Sequence, residues 1–120
     1  MMLSKGQMED SISKKIVQFE RNFFGRGPEA IKTYIFDDLV LIKLEGVLSQ
    51  AERELSKDLE GILMIKNMRS KLLENCKEYI EEIIAEVMGC RVVSLHTDIS
   101  TKTGERIILL KISPGSKGGI

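Results

Sequence analysis

A helical pattern of apolar residues extends from about Asp58 to Met88, and its length limits how the chain can fold. At 1.5 Å per residue, such a helix would be ~46 Å long, whereas a small domain is only ~30 Å across. The helix therefore either breaks near Gly61 or extends beyond the domain and packs against a second copy of the chain, which would cover its apolar first half. We favour the second alternative, which predicts a homodimer. The apolar first half consists of Ile62, Leu63, Met64 and Ile65.

Two further segments carry helix signals. Apolar residues recur at three- and four-residue spacing from Lys5 to Phe24, which indicates an amphipathic helix. Ser4 and Gln7 have the spacing of a capping box, and Gly25 suits the end of this helix. A second capping box, Ser49 with Glu52, predicts a short helix through about Leu55.

Four segments are rich in β-branched and aromatic residues and predict two hairpins. The first joins Ile31–Phe36 to Leu39–Leu44, and the second joins Arg91–Ser100 to Arg106–Ser113. Leu39–Ile42 is apolar on both faces, which favours a central strand covered on both sides. The element order α-β-β-α-α-β-β predicts an α+β fold, with a four-stranded, mainly antiparallel sheet and the N-terminal and long central helices packed on it.

Composition excludes several classes of protein. The 120 residues suit one domain, which we expect to span residues 1–113 and to be followed by a disordered tail at 114–120. Eighteen basic residues balance 18 acidic ones, which argues against a nucleic-acid partner. No apolar run approaches the ~20 residues of a membrane span, and no signal peptide is recognisable. Two isolated cysteines fit free thiols in the cytoplasm.

His96 and Asp98 are the pair with the most obvious chemical potential. Two residues apart on a predicted strand, they point to the same face together with Val92 and Ser94, opposite Val93 and Leu95. A carboxylate can orient an imidazole for proton transfer or for metal binding. The chain contains one histidine and no ligand cluster, so no catalytic residue, metal site or cofactor is predicted. A strand that is exposed, or that faces the second copy in a dimer, would show the same alternation of polar and apolar residues without any chemical role for His96 and Asp98.

Other candidate binding or partner-contact residues lie in turns. Ser100, Thr101, Glu105 and Arg106 surround the predicted turn of the second hairpin, where hydroxyls and amides can hold an anion or simply shape the turn. Arg26 lies between two glycines and can reach a phosphate, a carboxylate or an acidic patch on a partner. Its alternative role is that of a solvated turn residue.

Four stretches of the chain resemble the bacterial MpsC family, named for a sodium-translocating, membrane-potential-generating system. They are Ser4–Gln7, Gly25–Pro28, Tyr34–Gly46 and Val92–Thr101, the last closed by Gly104-Glu105-Arg106. The resemblance implies association with a membrane system that moves sodium ions or supplies inorganic carbon. It further implies a soluble accessory subunit at the inner face of the membrane, with its recurring polar motifs as contact surfaces.

Two hypotheses of function follow. The first is a non-enzymatic, homodimeric accessory protein that binds a component of such a transport complex. The second is a small-molecule or anion-binding module, with at most weak enzymatic activity, in which Arg26, His96, Asp98 and Arg106 form one pocket.

Overall fold

The computed structural model describes residues 3–113, which form an α+β fold of four helices and four strands. The predicted tail at 114–120 lies outside these residues. In chain order the elements are α1 (Lys5–Phe24), β1 (Ala30–Phe36), β2 (Leu39–Glu45), α2 (Gln50–Leu55), α3 (Leu59–Asn75), α4 (Lys77–Met88), β3 (Arg91–Ile99) and β4 (Arg106–Ser113).

The four strands form one antiparallel sheet in the order β1-β2-β4-β3. The two predicted hairpins thus lie side by side, with β2 and β4 at the centre. Asp37 has a positive φ of 54°, as the tight turn between β1 and β2 requires. The core lies between one face of the sheet and the helices, and its fully buried members include Ile12, Ile16, Ile42, Ile80, Ile84, Ile108 and Leu110.

Both predicted capping boxes are confirmed. The Ser4 hydroxyl accepts from the Gln7 N–H at 3.1 Å, and the Ser49 hydroxyl accepts from the Glu52 N–H at the same distance. Each pair satisfies two backbone donors that the first turn of a helix leaves free. Gly25 ends α1 in the left-handed conformation, with φ 81°.

The prediction of one long central helix is wrong, because the chain breaks at Cys76 into α3 and α4. The Cys76 N–H bonds to the carbonyls of both Leu72 (3.0 Å) and Leu73 (3.1 Å). Leu73 and Ile80, on either side of the break, are both fully buried. Both halves of the segment therefore pack on the core, one on each side of the break. Gly61 lies instead in the first turn of α3.

Two predictions about strand faces also need correction. A β-bulge between Val92 and Ser94 shifts the alternation, so that Val93 is exposed and Val92 packs against the core. Strand β2 is central, as predicted, but it is not covered on both sides within residues 3–113. Val40 is buried under the helices, whereas Leu39 on the other face is only partly covered.

Candidate functional site

Four predicted site residues meet at the end of the β3–β4 hairpin. They line a shallow depression of about 420 Å³, together with Lys66 and Lys102. The four are Asp98, Ser100, Thr101 and Glu105. The Ser100 hydroxyl accepts from the Thr103 N–H at 3.2 Å, so part of this polar set shapes the turn. Because two carboxylates face two ammonium groups, the depression has no net charge that would select an anion.

His96 and Asp98 are exposed on the sheet face that the helices leave uncovered. Asp98 does not orient the imidazole. Its Oδ1 accepts from Lys66 Nζ and from the Ile99 N–H, each at 2.8 Å. The Lys66 bond is the main reason why the pKa of Asp98 lies below its ordinary value. The pair therefore lacks the geometry of an acid–base couple.

Arg26 binds the protein's own backbone. Its Nη1 donates to the carbonyls of Gly46 (3.0 Å) and Leu48 (2.9 Å), while Arg69 Nη2 donates to the carbonyl between them, that of Val47 (3.0 Å). Three consecutive carbonyls of the segment after β2 therefore each accept a bond from a guanidinium group. Such charge-assisted bonds hold this segment in place.

Arg106 lies in the interior, on the opposite sheet face from His96, and is 1% exposed. Its Nη1 is 3.5 Å from Glu20 Oε2, and its Nη2 donates to the Arg69 carbonyl at 3.2 Å. Its Cζ lies 5.4 Å from the centre of the Phe24 ring. Arg26 and Arg106 are both engaged with the protein itself, and the four residues Arg26, His96, Asp98 and Arg106 do not share one site.

Arg69 forms the second buried ion pair. It donates from Nε to Glu52 Oε2 at 2.9 Å and from Nη2 to Oε1 at 2.8 Å, which is the bidentate geometry of a strong pair. Its Cζ lies 4.3 Å from the centre of the Phe24 ring. Glu20, Glu52, Arg69 and Arg106, here called the buried charge network, join α1, α2, α3 and β4.

Neither the burial of Glu20 and Arg69 nor the ion pair of Glu52 was predicted from sequence, although a signal was present for Glu20 and Arg69. Glu20 follows Ile16 by four residues, and Arg69 lies midway between Ile65 and Leu73 at the same spacing. Each charge therefore occupies the apolar face of its own helix. A charged residue at such a position is buried only when it is paired. The identity of the partner depends on tertiary packing.

Burial and pairing shift the pKa values of this network in opposite directions. Burial raises the pKa of Glu20 above its ordinary 4.5, against the opposing effect of Arg106 and Arg69. Burial would also raise the pKa of Glu52, but hydrogen bonds from Arg69 and Ser49 outweigh it and lower the value. Burial lowers the pKa of Arg106 to about 10, so this arginine stays charged at neutral pH.

These shifts predict opposite pH effects for two substitutions. Glu20 has a raised pKa in the folded protein, so its contribution to the free energy of unfolding falls as the pH rises above 4.5. Glu52 has a lowered pKa, so its contribution is lost as the pH falls below 4.5. Urea unfolding from pH 3 to pH 8 should therefore give opposite trends for the two variants. The free energy of unfolding of wild type minus that of Glu20→Gln should fall as the pH rises, and the same difference for Glu52→Gln should increase. The same trend with pH for both variants would contradict the pKa shifts described for Glu20 and Glu52.

The sheet face turned away from the helices carries a continuous apolar area, here called the open face. Tyr34 and Phe36 are 39% and 48% exposed, and the neighbouring aliphatic side chains are partly exposed. Register places Tyr34, Leu41, Leu109 and His96 in one row across the four strands. The apolar members of the open face are Tyr34, Phe36, Leu39, Leu41, Ile107 and Leu109.

A second apolar surface lies on the first half of α3. Ile65 is buried against the core and Ile62 is partly covered. Two of the four apolar residues that were predicted to pack against a second copy therefore pack within the protein itself. Four large side chains of this helix remain largely exposed, here called the α3 surface: Leu59, Leu63, Met64 and Met68. Exposed large apolar side chains that lie close together mark a surface for binding a partner.

Within residues 3–113, no group of three or more His, Cys, Asp or Glu side chains is placed to hold a metal ion. The same residues include no helix that is both long enough and apolar enough to cross a bilayer.

Fold and surfaces together define a class of protein: a sheet-and-helix domain whose polar residues build a buried charge network, with apolar areas left on two surfaces. Comparison with known proteins identifies the family within this class. Residues 4–113 match the family described as "Na+-translocating membrane potential-generating system (MpsC)". The chain belongs to the MpsC family, as the resemblance of its motifs predicted.

Two relatives from Bacillus subtilis (strain 168) are similar over most of their length. Uncharacterized protein YbcI is 42% identical over 112 residues, which cover 93% of this chain and 90% of the relative. Uncharacterized protein YrhF is 31% identical over 96 residues, covering 73% of this chain and 79% of the relative. No solved structure matches significantly.

Proposed function

We propose that the protein is a non-enzymatic, homodimeric accessory subunit that binds a component of the membrane system named in its family's description. The family description supplies the kind of partner. The proposed place of action is the cytoplasm, at the inner face of the membrane. The observation that carries the proposal is the α3 surface, where large apolar side chains face outward.

The chemistry of the α3 surface suits a protein partner. Methionine and leucine side chains adapt to the shape of an apposed apolar surface, which is typical of helix-binding sites. Met64 and Met68 lie on one side of α3, and Leu59 and Leu63 lie on the other. The polar residues Glu60 and Asn67 lie between the two sides. An amphipathic helix of the partner would cover one apolar side and hydrogen-bond along the polar line.

The small-molecule or anion-binding hypothesis has less support. It requires Arg26, His96, Asp98 and Arg106 around one pocket. Arg26 instead donates to Gly46 and Leu48, and Arg106 is buried beneath the sheet face opposite His96.

Recovery of the partner from native cells tests the proposal. Tagged wild-type protein, purified in mild detergent, should carry an integral membrane component that mass spectrometry identifies. Replacing Leu63 with Glu and Met64 with Lys should lower that recovery at least about tenfold, because two charges would be buried at the contact. Both side chains are about half exposed, so folding should persist, as circular dichroism would verify.

Leu3→Glu is the matched control, since Leu3 is also exposed and apolar but precedes α1. It should leave recovery unchanged. Wild-type protein that carries no membrane component, or a double variant that carries as much as wild type, would refute the proposed function.

A further inference from the structure

We propose that the open face binds the open face of a second copy, with β1 of each copy lying over β3 of the other. This inference rests on the homodimer of the proposed function and assigns its contact surface. It gives a role to His96 and Asp98, both of which lie on this face.

Contacts at both edges of the sheet disfavour pairing with a second copy there, so the face is the better candidate. At the β1 edge, the outward N–H of Ile35 donates to Glu9 Oε2 of α1 at 2.8 Å. At the β3 edge, the N–H of Ile99 donates to Asp98 Oδ1, and the bulge at Val92/Ser94 interrupts the strand. Covered donors and bulges are devices that prevent edge-to-edge pairing.

One pair of charges on the open face, Lys32 and Asp98, distinguishes between two arrangements of two copies, whereas Lys43 and Lys111 lie opposite apolar side chains in both. Register places Lys32, Lys43, Ile107 and Asp98 in one row across the sheet. A two-fold axis parallel to the strands places each row of one copy opposite the same row of the other copy. It also lays β1 of each copy over β3 of the other. Lys32 of each copy then faces Asp98 of the other. Both known bonds of Asp98 use Oδ1, so Oδ2 is available.

The alternative axis, perpendicular to the strands, reverses the order of the rows. Register places Phe36, Leu39, Lys111 and Ser94 in the row that would then face the row of Lys32. Lys32 would lie against Phe36, and Asp98 would lie against Ser94 and gain no cation beyond its own Lys66. The first axis also places Leu41 against Leu109 and Tyr34 against His96. Aligned packing of this kind is common between sheets.

The size of the face predicts the strength of the dimer. Four strands about 4.8 Å apart and about seven residues long cover an area of roughly 19 × 23 Å. Two such faces bury about 900 Å², below the ~1,600 Å² of a standard stable interface. We therefore expect a reversible dimer with a dissociation constant in the micromolar range, visible by analytical ultracentrifugation at high protein concentration.

Mixing two charge variants tests the arrangement. Lys32→Asp places Asp against Asp at both contacts of a homodimer, and Asp98→Lys places Lys against Lys. Each variant alone should dimerise at least about tenfold more weakly than wild type. In a mixed dimer with one copy of each variant, both contacts pair Asp with Lys, so an equimolar mixture should regain dimers close to the wild-type level. A Leu41→Glu variant should remain monomeric in all mixtures.

Three results would overturn the inference: a monomeric wild type at high concentration, Leu41→Glu that still dimerises, or variants that fail to complement each other. The readout is independent of the membrane partner. Loss of dimers with Lys32→Asp while the membrane component is still recovered would leave the proposed partner binding standing. A wild type that dimerises but carries no membrane component would refute the proposed partner binding and leave the inferred dimer standing.

Discussion

Arg106→Leu should lower the free energy of unfolding by about 3–5 kcal/mol, because it leaves Glu20 as an unpaired buried carboxylate. Glu20 is 1% exposed, and its Oε2 faces Arg106 Nη1 at 3.5 Å. The Arg69 carbonyl, 3.2 Å from Arg106 Nη2, would also lose this hydrogen bond. Urea unfolding at pH 7 measures the change. Lys14→Ala, which breaks an exposed pair with Asp10, should have little effect.

The double variant Glu20→Leu/Arg106→Leu separates an unpaired charge from lost packing. Since it removes both charges, it should be more stable than Arg106→Leu alone, although it has one more substitution. If the double variant instead loses the sum of the two single effects, the two side chains do not interact. If Arg106→Leu is as stable as Lys14→Ala, the guanidinium group is not buried as described.

Gly61→Ala should destabilise the protein by about 1–3 kcal/mol or more, although alanine is the better helix former. A Cβ at Gly61 would lie 1.6 Å from the Leu55 carbonyl oxygen and 2.6 Å from its carbon. Both are backbone atoms, so the end of α2 would have to move away from α3. That movement would also disturb the bond between Glu52 and Arg69, which joins the same two helices.

Gly6→Ala is the matched control, because it is the same substitution in the first turn of α1. No atom lies within 4 Å of a Cβ at that position. It should stabilise the protein by about 0.5–1 kcal/mol through helix propensity. Thermal unfolding of both variants gives the comparison. A gain in stability for Gly61→Ala would mean that α2 does not pack closely against α3.

Local signals explain how much of the fold could be predicted from sequence. Capping boxes at Ser4 and Ser49 depend on residues three positions apart, and both helices begin where predicted. The break at Cys76 has no such signal, since neither glycine nor proline is present there. It depends on how the two halves pack against a core whose shape other elements set, with Leu73 and Ile80 buried on either side.

The candidate site was predicted less well, for the same physical reason. Asp98, Ser100, Thr101 and Glu105 are close in sequence, and they lie together at one depression. Arg106 was expected to join them, but alternation along β4 turns it to the buried face. Its partner Glu20 is distant in sequence, and only the packing of α1 on the sheet brings the two together. Lys66, the partner of Asp98, was missed for the same reason.

The position of β4 has a consequence for synthesis of the protein on the ribosome. Strand β4 follows the other seven elements in the chain, yet it lies at the centre of the sheet, between β2 and β3. At about 5–20 residues per second, roughly 3–12 s separate translation of Glu45 from that of Arg106. During that interval one edge of the nascent β1–β2 hairpin has no neighbour, and Glu20 lacks its ion-pair partner Arg106. A chaperone that shields extended chain would be most useful to this protein in that interval.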